Sequence, residues 1–307
     1  MGFDLYFAGA YNQEIEKILI KNKYNKLLSN ANDGKMIERY INLKKTGEYE
    51  GKLLIDSGAF SVHTKGKTID LEKYIDFLNN NHEWIDLYIQ VDDIPGKWGQ
   101  PKTAEQLSES PKKTWQNYLY MRNKLIEPDK LLPVFHQEED FIYLKQMLEY
   151  TENEKHIPYI CISSNKELTA EKRLNWYKRC YEIIEESNNP NVKVHSLGTQ
   201  SEKHCSIMPF TSTDATSWIL AAANGSIYTK YGTIYISDRG INELNHIVND
   251  SNSLKILQEY IESKGFTIDE LKSNHNKRVE WNLLYLGEWA KNMNYIGPKS
   301  FKNNRLF

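Results

Sequence analysis

The chain is poor in the features that would place it in the simplest classes. It has three cysteines in 307 residues, Cys161, Cys180 and Cys205, and no Cys-x-x-Cys pair. That argues against a disulfide framework and against a cysteine-built zinc site. Few, unpatterned thiols suit a reducing cytoplasm, which is the expected location. No apolar run approaches the roughly 20 residues that span a bilayer. The opening Met1-Gly2-Phe3-Asp4 has neither the basic nor the apolar segment of a signal peptide. Tyr6 stands where a myristoylation signal after Gly2 needs Ser or Thr. Formal net charge is only -2, so no global field draws in nucleic acid, and any such binding needs a local basic patch. There is no linker, low-complexity tract or repeat of solenoid period.

What the sequence does have is a run of strand signals that end in polar residues. The clearest is Leu53-Leu54-Ile55-Asp56-Ser57-Gly58-Ala59-Phe60. Its apolar part suits a strand covered on both faces. Gly58 permits a tight turn with positive φ, which leaves Asp56 at the strand's C-terminal lip beside an aromatic. Similar runs are Leu5–Gly9, Leu87–Asp93, Leu131–Gln137, Tyr159–Ser164, Val192–Gly198 and Phe210–Asp214. Helical spacing lies between them: Ile15, Ile18, Leu19, Tyr24 and Leu27 predict a helix over 12–28, and Tyr74, Ile75 and Leu78 one after Asp70. Residues 96–110 read as a loop, with Ser110-Pro111 opening the next helix. Ser226–Thr229 and Thr233–Ile236 are short strands, one of which supplies the eighth of the set. Residues 253–293 read as helical.

Alternating strand and helix argue for a parallel sheet. About eight such units in a chain this long predict an α/β fold of the (β/α)8 TIM-barrel type. The expected organisation is one domain over 1–307, with the barrel over about 1–240 and extra C-terminal helices over about 241–307. In a barrel the strand C-termini share one rim. Asp56, Asp92, His136, Ser163, Gly198 and Asp214 then meet there. Rim carboxylates can serve as nucleophile, general acid/base or acceptor for ligand N–H groups. Taken singly, each aspartate is more often a helix cap, and Thr213-Asp214-Ala215-Thr216 has the look of one; three at equivalent positions favour function. His136 is as readily a packed rim residue as a ligand contact. His195, mid-strand, reads as structural, and His204 with Cys205 lacks zinc-spaced partners. Asp92-Asp93 alone makes a poor Mg²⁺ cage. Lys65, Lys67, Lys97, Lys102, Lys112 and Lys113 follow rim strands and could meet phosphates, although charge runs are usually solvated faces.

Several of these segments together resemble the tRNA-guanine transglycosylases. Asp56-Ser57-Gly58-Ala59-Phe60-Ser61 is similar to that family's Asp-Ser-Gly-Gly-Phe-Gln element. Asp86–Asp92 resembles the strand whose terminal Asp recognises a guanine edge. Pro133–Gln137, Leu197-Gly198 and the stretch Phe210–Trp218 resemble the family's DNA-modifying branch most closely. The matches run in order from Phe3 to Gly240. The family's Cys-x-Cys-x-x-Cys zinc cluster is absent, Ala59 and Ser61 replace Gly and Gln, and Ile162-Ser163-Ser164 stands where a Gly-Gly loop is expected.

The resemblance implies a guanine transglycosylase that replaces guanine in DNA with a 7-deazaguanine. The same exchange on tRNA is the alternative, and a non-catalytic purine-binding barrel another. It implies Asp214 as nucleophile, Asp56 as general acid/base and Asp92 as acceptor for the base's N–H groups. Phe60 is the stacking ring, and Ser57, His136, Gln137, Ser163 and Gly198 are further substrate contacts. No metal or redox cofactor is implied, because the deazaguanine base is the co-substrate. The near-neutral charge leaves room for a helper protein or a homodimer as partner, with no membrane.

Overall fold

The computed structural model describes residues 2–9, 11–66, 68–96, 100–199, 201–237 and 251–302. Lys67, Lys97 and Gly240 lie outside them. The main sheet is built from β1 (Asp4–Ala8), β2 (Asn25–Ser29), β3 (Leu53–Asp56), β4 (Leu87–Ile89), β5 (Leu131–Leu132) and β6 (Val134–His136). A two-stranded hairpin, β7 (Thr151–Glu152) and β8 (Lys155–His156), precedes its last members, β9 (Tyr159–Ser163), β10 (Lys193–Leu197) and β11 (Ser212–Ala215). The order across the sheet is β5-β4-β3-β2-β1-β11-β10-β9-β6, and every pairing is parallel. The result is an α/β fold around a nearly closed, barrel-like sheet. Its two end strands are neighbours in the chain, parted only by Pro133. A proline has no N–H to give a ladder, but the Pro133 carbonyl still accepts the Cys161 N–H at 2.7 Å.

Burial on both faces follows from the sequence alternation. Tyr6, Ala8, Leu27, Leu54, Ile89, Leu132, Val134, Tyr159 and Cys161 form a compact cluster inside the ring of strands. Their neighbours Leu5, Phe7, Leu28, Leu53, Ile55, Tyr88, Phe135, Ile160, Ile162 and Val194 belong to the larger core under the surrounding helices. The two-residue period then carries inward orientation up to the C-terminal lip, from Leu54 to Asp56, from Val134 to His136 and from Cys161 to Ser163. Just after β4 the alternation slips. Ile89 belongs to the inner cluster and Val91 to the outer core, which turns Asp92 inward.

Helices α1 (Gln13–Lys21), α2 (Gly34–Lys45), α3 (Ala59–Thr64), α4 (Leu71–Asn81), α5 (Ala104–Lys124), α6 (Phe141–Glu149), α7 (Ala170–Glu186), α8 (Glu202–Ile207) and α9 (Ser217–Ala223) follow the strands. Asn12, Asp70, Thr103, Asp140, Thr169 and Ser201 each cap one with a side-chain acceptor. The expected helix over 12–28 stops at Lys21, and residues 25–29 become a sheet strand instead. The expected eighth strand is likewise displaced. β12 (Ser226–Thr229) and β13 (Gly232–Tyr235) pair only with each other, antiparallel. Pro111 lies inside α5 rather than opening it, because Thr103 and Gln106 form a capping box further upstream.

The hairpin β12–β13 shares a separate apolar cluster with α10 (Ser251–Ser263), α11 (Ile268–Ser273) and α12 (His275–Asn292), made by Ile227, Ile234, Ile236, Leu257, Ile261, Phe266, Leu271 and Trp281. Val279, Leu283 and Leu286 of α12 face the main core, so this helix ties the C-terminal unit to the barrel. No described helix is long and apolar enough to cross a membrane.

Candidate active site

The turn after β3 is built around Gly58. Its φ is +82°, and a Cβ there would lie 2.6 Å from both the Ala31 Cβ and the Ser29 Oγ. Only glycine fits without displacing the loop after β2. Ser57 is fully buried and its Oγ accepts the Ala59 N–H at 3.3 Å. It shapes the turn, and its hydroxyl is not presented to a ligand. Phe60 follows in the first turn of α3 and is 57% exposed, a ring open to solvent at the rim.

Asp56 is held in a distinctive electrostatic setting. Burial pushes its carboxyl up, and the charges of Asp92 and Asp214 push it further, against the pull of the Gly58 and Ser57 backbone amides; the result is about 7. The charges of both other aspartates reach Asp56, so the three carboxyls stand near one another at the C-terminal ends of the strands. The Cys161 thiol beneath them is raised by burial and then by the same three charges.

Asp214 is buried, and its surroundings explain how it is aimed. Gly198, at φ +61°, donates its N–H to the Asp214 Oδ1 at 2.6 Å. The His195 Nε2 approaches the same oxygen at 3.3 Å. Among the described residues Oδ2 has no hydrogen-bond partner, so one oxygen is tethered and the other is available. Asp214 is not the cap of the following helix, because Thr216 occupies that position. His195 is itself fixed through its Nδ1 and the Ser212 Oγ, and Ser212 meets the Tyr159 hydroxyl at 2.6 Å. The sequence reading of His195 as structural therefore missed its contact with the candidate nucleophile. The signal was there in the strand period: two residues before Leu197, His195 shares the inward face of β10.

Asp92 is clamped from the other side. The His136 Nε2 lies 3.0 Å from the Asp92 Oδ2, and its Nδ1 lies 2.8 Å from the Glu139 Oε1. Burial alone would lower the imidazole's pKa, but the hydrogen bonds to Asp92 and Glu139 outweigh it and raise it to about 10. His136 is therefore an imidazolium at neutral pH, committed to Asp92 rather than free to shuttle protons. Gln90, on the slipped segment beside Asp92, is fully buried, and neither amide atom has a partner among the described residues.

The remaining expectations divide. Ser163 ends β9 level with His136. Gln137 turns aside: its Oε1 accepts the Asn165 N–H at 3.0 Å and its Nε2 reaches the Lys172 carbonyl at 3.5 Å, which pins the loop after β9. Lys102 pairs with Glu138 and Lys112 with Glu109, while Lys65 reaches Asn32. These lysines serve the surface. His204 and Cys205 are buried in the core. Among the described residues no group of three or more His, Cys, Asp or Glu is placed to hold a metal ion. No family model and no curated protein matches the chain.

Proposed function

We propose that the protein is a base-exchange transglycosylase that replaces guanine in DNA with a 7-deazaguanine. The crowding of Asp56 by Asp92 and Asp214 carries this reading, since it brings together a tethered carboxylate, a carboxyl with a pKa near neutrality and a clamped acceptor. The fold supports it. Taking β5 and β6 as one strand broken at Pro133 gives eight parallel strands, a (β/α)8 barrel whose C-terminal rim carries the three aspartates.

In the proposed reaction the free Oδ2 of Asp214 attacks C1′ of the sugar. The C1′–N9 bond breaks and its electron pair leaves with guanine, which takes a proton from neutral Asp56. The incoming base then gives its N9 proton to ionised Asp56, and its nitrogen attacks C1′ and releases Asp214. This is the two-step logic of a retaining glycosidase. A group with a pKa of about 7 is suited to both proton transfers. Asp92 accepts the base's N1–H and amine, with Oδ2 already sharing His136 and Oδ1 without a hydrogen bond among the described residues. The exposed Phe60 ring stacks on the base. The target nucleotide reaches the rim from a single strand or by flipping out of a duplex.

The test is intact-protein mass spectrometry after mixing with a guanine-containing oligodeoxynucleotide and quenching in acid. A covalent protein–DNA adduct that disappears in Asp214→Asn supports the mechanism. An adduct of equal yield in that variant assigns the nucleophile elsewhere.

A further inference from the structure

A cavity of about 610 Å³ opens next to the end of β11, between the loop after β9, α8, the start of α9 and the β12–β13 hairpin. It adjoins the proposed nucleophile directly. Gly198, whose N–H holds Asp214, forms part of its wall, as do Ala215 and Thr216, which follow Asp214 in the chain. Its size is that of a typical ligand pocket, and its lining is rich in hydroxyls, among them Ser201, Ser217 and Thr229.

Two lysines reach it from opposite sides. The Lys166 ammonium rests on Gly198 so closely that a Cβ there would lie 2.6 Å from its Nζ. Lys230 comes from the hairpin, its Nζ 5.1 Å from the Tyr231 ring centroid and 5.0 Å from that of Tyr260. Among the described residues neither lysine pairs with a carboxylate. Glu202 is the one acidic group in the lining. Its carboxyl is raised by burial and hydrogen-bonded to the Tyr285 hydroxyl. Tyr231, between the lining residues Lys230 and Gly232 in the chain, is 45% exposed and carries the Lys230 ammonium over one side of its ring.

We infer that this cavity holds the sugar–phosphate backbone of the single DNA strand flanking the target nucleotide, with its phosphates on Lys166 and Lys230. The inference rests on the transglycosylase reading above and extends it: the enzyme takes a polymer, not a free nucleoside. A local pair of cations supplies what the near-neutral chain lacks globally. The Tyr231 ring is the stacking face for the neighbouring base, the combination used by proteins that track single strands.

The test is fluorescence anisotropy with a labelled, guanine-containing single-stranded oligodeoxynucleotide, over a series of KCl concentrations. Both lysines are exposed, so a Lys166→Gln/Lys230→Gln double variant leaves the core untouched. Its slope of log K against log salt is expected to fall by about 1.4, or about 0.7 for each phosphate that is no longer neutralised. Tyr231→Ala is expected to weaken binding with no change in slope. An unchanged slope in the double variant overturns the inference. So does competition by dGMP as strong as that by unlabelled oligonucleotide, which would make the cavity a monophosphate site. The readout does not depend on chemistry. A changed slope without guanine exchange sinks the catalytic reading alone, and exchange with an unchanged slope sinks this cavity alone.

Discussion

The raised carboxyl of Asp56 makes a prediction that can be checked without a substrate. Its folded-state pKa of about 7 stands above the ordinary 3.8, so the folded protein binds more protons than the unfolded chain between those values. Stability therefore falls as pH rises through that window and levels off above it. Linkage with these two values gives a penalty of about 2 kcal/mol at pH 5 and about 4 kcal/mol at pH 8. Asp56→Asn keeps the shape and removes the charge. Its stability relative to the native protein is expected to improve by about 2–3 kcal/mol on going from pH 5 to pH 8, roughly 5 °C in melting temperature for a chain of this size. Urea titrations followed by tryptophan fluorescence at the two pH values measure it. A pH-independent difference, or a variant that is relatively weaker at pH 8, would refute the claim that burial and the neighbouring aspartates raise the Asp56 carboxyl.

Three further substitutions probe the surroundings. His136→Gln removes a cation shared by Asp92 and Glu139 and is expected to cost about 1.5–3 kcal/mol at pH 6; because the imidazole is raised to about 10, that cost should shrink as pH climbs from 6.5 towards 10, as denaturation at pH 6 and 9.5 would show. Gly58→Ala places a methyl against Ala31 and Ser29 at positive φ, and should lose about 1–3 kcal/mol in a thermal melt. Gln90→Met replaces a buried amide with no partner, so it should gain about 1–2 kcal/mol in the same melt; a loss instead would mean that the amide is satisfied.

The candidate rim was more legible in the sequence than the strand count. Apolar runs ending in Asp56, His136 and Ser163 share a two-residue period with the inner core, so their inward aim could be read directly, whereas Asp214 ends the polar run Ser212-Thr213-Asp214. Asp92 points inward through a slip just after β4 that no pattern announced. The second strand was missed because Tyr24 and Leu27 continue the helical spacing of α1. Lys26 also reads as a surface residue. In the structure it is wholly buried and paired at 2.8 Å with equally buried Glu16, a partner that only folding brings near. The error propagated: with one strand uncounted, the β12–β13 hairpin was drafted to complete the barrel. Nor does sequence spacing show that the cavity beside Gly198 is walled by that same hairpin.

The most direct test of the central claim is incorporation of radiolabelled guanine into a guanine-containing oligodeoxynucleotide. The account predicts label in the DNA with the native protein and none with Asp214→Asn. Absence of incorporation by the native protein on single-stranded DNA, or equal incorporation by the variant, would contradict it.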